Sequence, residues 1–164
     1  MSIELTVNGR AVSIAAAGDT PLLDVLRNHL DLKGSRYGCG LEQCGSCMVL
    51  IDGRPEYSCA REASTVSGRR VETVESLASH PLRRAFLDEQ AGQCGYCLSG
   101  ILISAKALLD TNKNPSRAEI VTALDKHLCR CGAHPRILRA VEKAAAALRA
   151  PASRPPDSRQ GVPA

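Results

Sequence analysis

The sequence predicts an α+β chain in which a small sheet-forming half precedes a helical half. Residues 3–73 hold short alternating apolar runs separated by Asn-Gly and Asp-Gly turns, whereas residues 80–148 hold apolar side chains at helical spacing. The 164 residues suffice for one ordinary domain or two small ones. Aromatics supply only 2% of them, so each core must be built from Leu, Ile, Val and Ala. Two such thin cores need staples, and the chain has eight cysteines.

The elements follow in order. Ile3-Glu4-Leu5-Thr6-Val7 alternates apolar and polar, Asn8-Gly9 turns, and Ala11-Val12-Ser13-Ile14 returns as the second strand of a hairpin. Thr20 as N-cap and Pro21 at the first position open a helix with Leu22, Leu23, Leu26 and Leu30 on its apolar face. Residues 48–51, the Asp52-Gly53 turn and the stretch to Cys59 read as another hairpin, and residues 70–73 as a short last strand. Beyond His80, Pro81 opens a helix that runs through Phe86 and Leu87 to about Ala91. A second helix covers 96–109 and stops at 112–114. A third starts at Ser116 with a capping box to Glu119 and contains Ile120, Val121, Leu124 and Leu128. The fourth spans 135–148. The expected units are therefore a sheet domain at 1–77, a four-helix domain at 78–149, and a Pro-rich disordered tail at 150–164.

Composition excludes several function classes. Hydrophobic residues make up 44% and charged residues 23%, as in globular proteins, and the net charge is only +4. Lys and Arg are scattered and the few aromatics form no stacking platform, so no nucleic-acid partner is expected. The apolar stretch 101–109 is interrupted by Ser104 and Lys106, so no membrane span is expected. Met1-Ser2-Ile3-Glu4 offers no basic start followed by an apolar stretch, so no secretion signal of the chain's own is expected. A reducing cytoplasm is the default compartment, with the periplasm reached only by export with a partner. In the cytoplasm eight cysteines read as metal ligands rather than disulfides.

Cys39, Cys44, Cys47 and Cys59 form C-x4-C-x2-C-x11-C, the spacing of a plant-type ferredoxin [2Fe–2S] site. The reason is size. Three thiolates from one short loop must wrap a group wider than a single ion, and Gly38, Gly40 and Gly45 let that loop turn tightly and aim N–H groups at sulfur. A structural zinc site, the bland alternative, pairs two short knuckles instead.

Cys94-Gly95-Tyr96-Cys97 and Cys129-Arg130-Cys131 form a second set. Taken alone it suits zinc as well as a cluster; beside the first set, a cluster is the better reading. Cys97 is expected in the first helical turn, where the helix dipole favours thiolate. His134, three residues past Cys131, raises a mixed Cys/His ligand set, but four thiolates already complete the site. His29, His80 and His127 have no partner spacing and read as surface residues. No nucleophile–base pair, general acid pair or dinucleotide glycine fingerprint is present, so no catalytic residue is assigned to the chain.

The two sets in this order resemble the small iron–sulfur subunit of the molybdenum hydroxylases, the xanthine dehydrogenase family. The matching residues are Tyr37-Gly38-Cys39-Gly40 through Cys47, Gln93-Cys94-Gly95-Tyr96-Cys97 and Leu128-Cys129-Arg130-Cys131-Gly132. Within that family the chain is most similar to the nicotinate dehydrogenase branch. Asp88-Glu89-Gln90-Ala91, Ala105-Lys106-Ala107-Leu108-Leu109-Asp110 and Ile137-Leu138-Arg139-Ala140-Val141 carry that similarity. Gly132-Ala133-His134 departs from the Thr-Gly-Tyr of many members and suits the nicotinate and isoquinoline branch. The resemblance implies a β-grasp ferredoxin domain, a four-helix bundle, and a [2Fe–2S] cluster in each. The implied partner is a molybdopterin-binding large subunit, the implied substrate a nicotinate-like heteroaromatic or an aldehyde, and the implied acceptor a cytochrome c or FAD subunit. Gln93 matches the family glutamine that contacts the pterin. Two rival readings are a zinc-stabilised interaction module and a free-standing ferredoxin; the second leaves the helical half unexplained.

Overall fold

The structure is a computed structural model that describes residues 2–150; most of the expected Pro-rich tail, 151–164, lies outside the described residues. Strands β1 (Ser2–Val7) and β2 (Arg10–Ala15) form the first hairpin, with Ile3 opposite Ile14 and Leu5 opposite Val12. Its Asn8-Gly9 turn has φ of 48° and 80°; the Asp52-Gly53 turn, with 49° and 81°, joins β3 (Met48–Ile51) to β4 (Arg54–Tyr57). Two successive left-handed residues give the turn whose twist matches paired strands. Strand β5 (Arg70–Glu72) enters between the hairpins, parallel to β1 and antiparallel to β3, giving a mixed sheet of order β2-β1-β5-β3-β4.

The helix predicted from Thr20 to Leu30 differs in form. Helix α1 covers only Leu22–Asp24 and continues as a π-helical stretch, Val25–His29. Thr20 is not its cap. The first two N–H groups, of Leu22 and Leu23, donate to the Arg61 and Ser58 carbonyls at 2.7 and 2.9 Å. Backbone from the segment around Cys59 thus replaces the side-chain cap. Leu22, Val25 and Leu26 pack on one sheet face with Ile3, Leu5, Val49, Ile51 and Val71.

The helical half comprises α2 (Pro81–Asp88), α3 (Leu98–Thr111), α4 (Arg117–Leu124) and α5 (His134–Arg149). The predicted capping box is present: the Glu119 N–H donates to Ser116 Oγ and the Ser116 N–H to Glu119 Oε2. Helix α2 ends earlier than Ala91 because Gln90 adopts a left-handed φ of 46°. Leu128 lies beyond α4 and is 67% exposed rather than part of its apolar face. Leu82, Phe86, Ile101, Ile120, Ile137 and Val141 form the core of this half. Among the described residues no helix is long and apolar enough to cross a membrane.

The halves share a third apolar contact. All four residues of β3 are buried: Val49 and Ile51 face α1, while Met48 and Leu50 meet Ile103 of α3. Such a continuous apolar run is the signature of a strand covered on both faces. Lys106, one turn along, pairs with Glu72 of β5 at 3.2 Å. Helix α3 is thereby pressed against the sheet beside the first cysteine loop.

Candidate metal centres

The cysteines of the first set meet as two pairs. The Cys39 N–H points at Cys44 Sγ at 3.4 Å, and the thiols of these two residues lie within hydrogen-bonding reach of each other. Cys47 and Cys59, 1% and 8% exposed, make the second pair and pack against Leu23. The N–H groups of Leu41 and Gln43 donate to Cys39 Sγ, each at 3.3 Å. These bonds favour the anion and hold the Cys39 thiol at about 7. Burial, the largest influence on Cys47, pushes that thiol up to about 11. Gly38 is required for space: a Cβ there would stand 2.6 Å from Cys44 Sγ.

The second set is paired in the same way. Cys131 Sγ and Cys94 Sγ are 3.4 Å apart, and the Cys97 thiol bonds to that of Cys129. The expectation that the helix dipole holds Cys97 as thiolate is corrected. Cys97 is the N-cap of α3 and is buried, so loss of hydration outweighs the dipole and pushes the thiol up to about 12. Cys94 is exposed, and the Tyr96 N–H lowers its pKa. Gln93 is exposed and its Nε2 donates to the Cys131 carbonyl at 2.7 Å, tying the two short motifs together. His134 begins α5 and stays exposed.

All eight cysteines are free thiols. Two thiols per iron, backbone N–H groups aimed at sulfur, and a glycine that leaves a sulfur its room fit a cluster of two irons. The residues present are therefore suited to such a group in both halves.

The two loops also touch each other, which the spacing of cysteines does not reveal. The Leu128 N–H donates to the Cys44 carbonyl at 3.1 Å, and Ser99 Oγ to the Ser46 carbonyl at 3.3 Å. His127, expected at the surface, is only 5% exposed. Its Nε2 meets Ser104 Oγ at 2.7 Å and its ring lies against Gly45, where burial lowers its pKa to about 4. Its place two residues before Cys129 was the available signal. Arg36 was missed with no signal at all: its Nη1 donates to the Gly95 carbonyl at 3.0 Å and its guanidinium lies 5.3 Å from the Tyr96 ring centre. The Tyr96 hydroxyl in turn donates to the Tyr37 carbonyl.

Comparison with known proteins agrees with this geometry. Residues 5–78 match the family described as 2Fe-2S iron-sulfur cluster binding domain, and residues 71–142 match the [2Fe-2S] binding domain. The chain is 50% identical over 154 residues to the small iron–sulfur relative in nicotinate dehydrogenase of Pseudomonas putida, covering 92% of this chain and 98% of the relative. It is 46% identical to the alpha chain of isoquinoline 1-oxidoreductase from Brevundimonas diminuta, covering 87% and 97%. The crystal structure of quinoline 2-oxidoreductase from Pseudomonas putida 86 superposes with a TM-score of 0.87 at 36% identity, covering 91% of this chain and 96% of that one. Aldehyde oxidoreductase from Desulfovibrio desulfuricans gives the same TM-score at 39% identity over 90% of this chain, which spans 17% of that longer chain. With both halves matched and whole small subunits paired nearly end to end, the chain belongs to the iron–sulfur small subunits of the molybdenum hydroxylases, a family of oxidoreductases.

Proposed function

We propose that the chain is the electron-relay subunit of a multisubunit molybdopterin-dependent hydroxylase. Cys39, Cys44, Cys47 and Cys59 would hold one [2Fe–2S] cluster in a β-grasp domain at 1–77. Cys94, Cys97, Cys129 and Cys131 would hold the other in a four-helix bundle at 78–149. The observation that carries this reading is the pairing of thiols, Cys39 with Cys44, Cys47 with Cys59, Cys94 with Cys131 and Cys97 with Cys129. Each cluster, when bound, takes up and returns one electron.

The chain's own residues hold the sulfurs, exclude water from one side of each set, and keep the loops in contact. Leu23 and Tyr57 cover Cys47 and Cys59; Ile101 and the rest of the helical core back Cys97. Gln93, exposed beside Cys131, is the side chain proposed to face a pterin on the large subunit. The similarity to nicotinate and isoquinoline enzymes favours an N-heteroaromatic substrate on that subunit, with an aldehyde as the second class. A cytochrome c or FAD subunit is the proposed acceptor.

The test is cofactor content. Purified anaerobically, the full chain should contain about four iron and about four acid-labile sulfide, with two distinguishable EPR signals after reduction. Stoichiometric zinc without sulfide would refute the proposal. Alone, the chain should oxidise neither nicotinate nor an aldehyde, and substrate should bleach its clusters only when the large subunit is present.

A further inference from the structure

The charges around the second cysteine set come from both halves of the chain. Arg130 lies between Cys129 and Cys131 but is exposed, where water screens it. Arg36 is different. It sits three residues before Cys39 in the first loop, is half-buried, and crosses to the other half to donate from Nη1 to the Gly95 carbonyl at 3.0 Å. Gly95 lies between Cys94 and Cys97 with a left-handed φ of 76°, so its carbonyl is turned by the loop itself. The guanidinium is fixed a second time by the Tyr96 ring at 5.3 Å, and Tyr96 is held by its hydroxyl on the Tyr37 carbonyl. The neighbours Arg36-Tyr37 and Gly95-Tyr96 thus clasp each other. An arginine keeps its charge at every accessible pH, and its planar fork suits both a carbonyl and an aromatic face.

We infer that Arg36 is a positioning residue that raises the reduction potential of the cluster held by Cys94, Cys97, Cys129 and Cys131, by fixing a permanent positive charge against that loop from the other half of the chain. The inference rests on the cluster assignment proposed above. The physical reason is elementary: a cluster gains one negative charge on reduction, so a nearby fixed cation favours the reduced form. The same charge favours the Cys94 thiolate, which feels Arg36 across the loop contact. The position also biases the direction of transfer, because the charge belongs to the chain of one site and acts on the other.

The experiment is an EPR-monitored redox titration of the full chain carrying its clusters, as wild type and as Arg36→Met, Arg36→Gln and Arg36→Lys. Iron and sulfide are measured on the same samples, and Cys129→Ser identifies which signal belongs to the second set. Arg36→Met keeps an apolar stem on Tyr96 and loses the charge. Both neutral variants should lower the equilibrium constant for reducing the second-set cluster about tenfold, which is 59 mV for one electron. The Cys39–Cys59 cluster should shift less, and Arg36→Lys should hold the second midpoint within twofold of wild type. Unchanged midpoints in neutral variants with full iron overturn the inference, as does a fall in Arg36→Lys as large as that in Arg36→Met. Should both neutral variants lose iron from the second set, Arg36→Lys decides alone, a retained midpoint supporting the inference and a tenfold fall overturning it. Wild type without four iron would instead refute the cluster assignment.

Discussion

Gly100 gives a substitution whose sign separates two physical effects. It lies inside α3, where propensity favours alanine over glycine by about 1 kcal/mol. On that ground alone Gly100→Ala should stabilise the protein. The structure predicts the opposite. A Cβ on Gly100 would overlap the Gly45 carbonyl oxygen, stand 2.9 Å from its carbon and 3.2 Å from His127 Cε1. Ordinary C···O contacts lie at about 3.3–3.6 Å, so α3 would have to retreat from the cysteine loop by about an ångström or more. The obstacle is backbone, which cannot swing away as a side-chain tip could. Overpacking of this kind costs about 1–3 kcal/mol, and a backbone clash belongs at the upper end. After the helix propensity gain, a net loss of about 2 kcal/mol remains, equivalent to roughly 4–8 °C in unfolding temperature for a chain of this size. Retreat would also strain the Ser99–Ser46 and Leu128–Cys44 hydrogen bonds that join the two loops. Thermal unfolding of the iron-loaded chain measures the loss, and the magnetic interaction between the two reduced clusters reports their separation. A rise in unfolding temperature, with the interaction unchanged, would refute the close-approach argument.

The other expected outcomes are simpler. Cys44→Ser should abolish the EPR signal of the first set and leave that of the second, since each ligand set lies within one half; loss of both in a folded protein would mean the partition is wrong. Ile103→Ala, which removes the α3 side chain lodged against Met48 and Leu50, should cost about 2–5 kcal/mol, read from the denaturant midpoint. His80 caps α2 by accepting the Leu82 N–H at Nδ1, and burial lowers its pKa below the ordinary 6.5. Its contribution to stability is therefore complete above about pH 6.5 and is lost as pH falls through the lower folded value, because the unfolded chain takes up the proton first. His80→Asn should flatten that pH dependence of the unfolding midpoint; an equally steep slope would show that the cap is not its source.

Local chemistry made much of the fold legible. Asn8-Gly9 and Asp52-Gly53 each require two left-handed residues, so they announce their hairpins without help from distant residues. The Ser116–Glu119 box announces α4 in the same way. Failures came where distant backbone substitutes for a local signal. Thr20 looked like a cap, but carbonyls from Ser58 and Arg61 reach the start of α1 first. Leu128 fitted the apolar spacing of α4 but lies outside the helix, where its N–H serves the Cys44 carbonyl instead. The spacing of the cysteines pointed to metal; it could not reveal which thiols pair, because pairing depends on how the loops close.

The contact between the loops bears on how such a relay can work. Two clusters in separate, freely moving domains would change distance with every fluctuation, and electron transfer between them would vary accordingly. Here the contact is made by the loops themselves: Arg36 on Gly95, Leu128 on Cys44, Ser99 on Ser46, and the Gly45–Gly100 approach filled by His127. Each of these residues is within three positions of a cysteine. Any motion that separated the halves would have to break the hydrogen bonds that shape the cysteine loops, and would therefore disturb both sites together. Burial of Met48, Leu50 and Ile103 behind the loops adds an apolar resistance to the same motion. Distance between the two sites is thus governed by the integrity of the sites, and a change that loosens one should weaken transfer to the other before it unfolds either half.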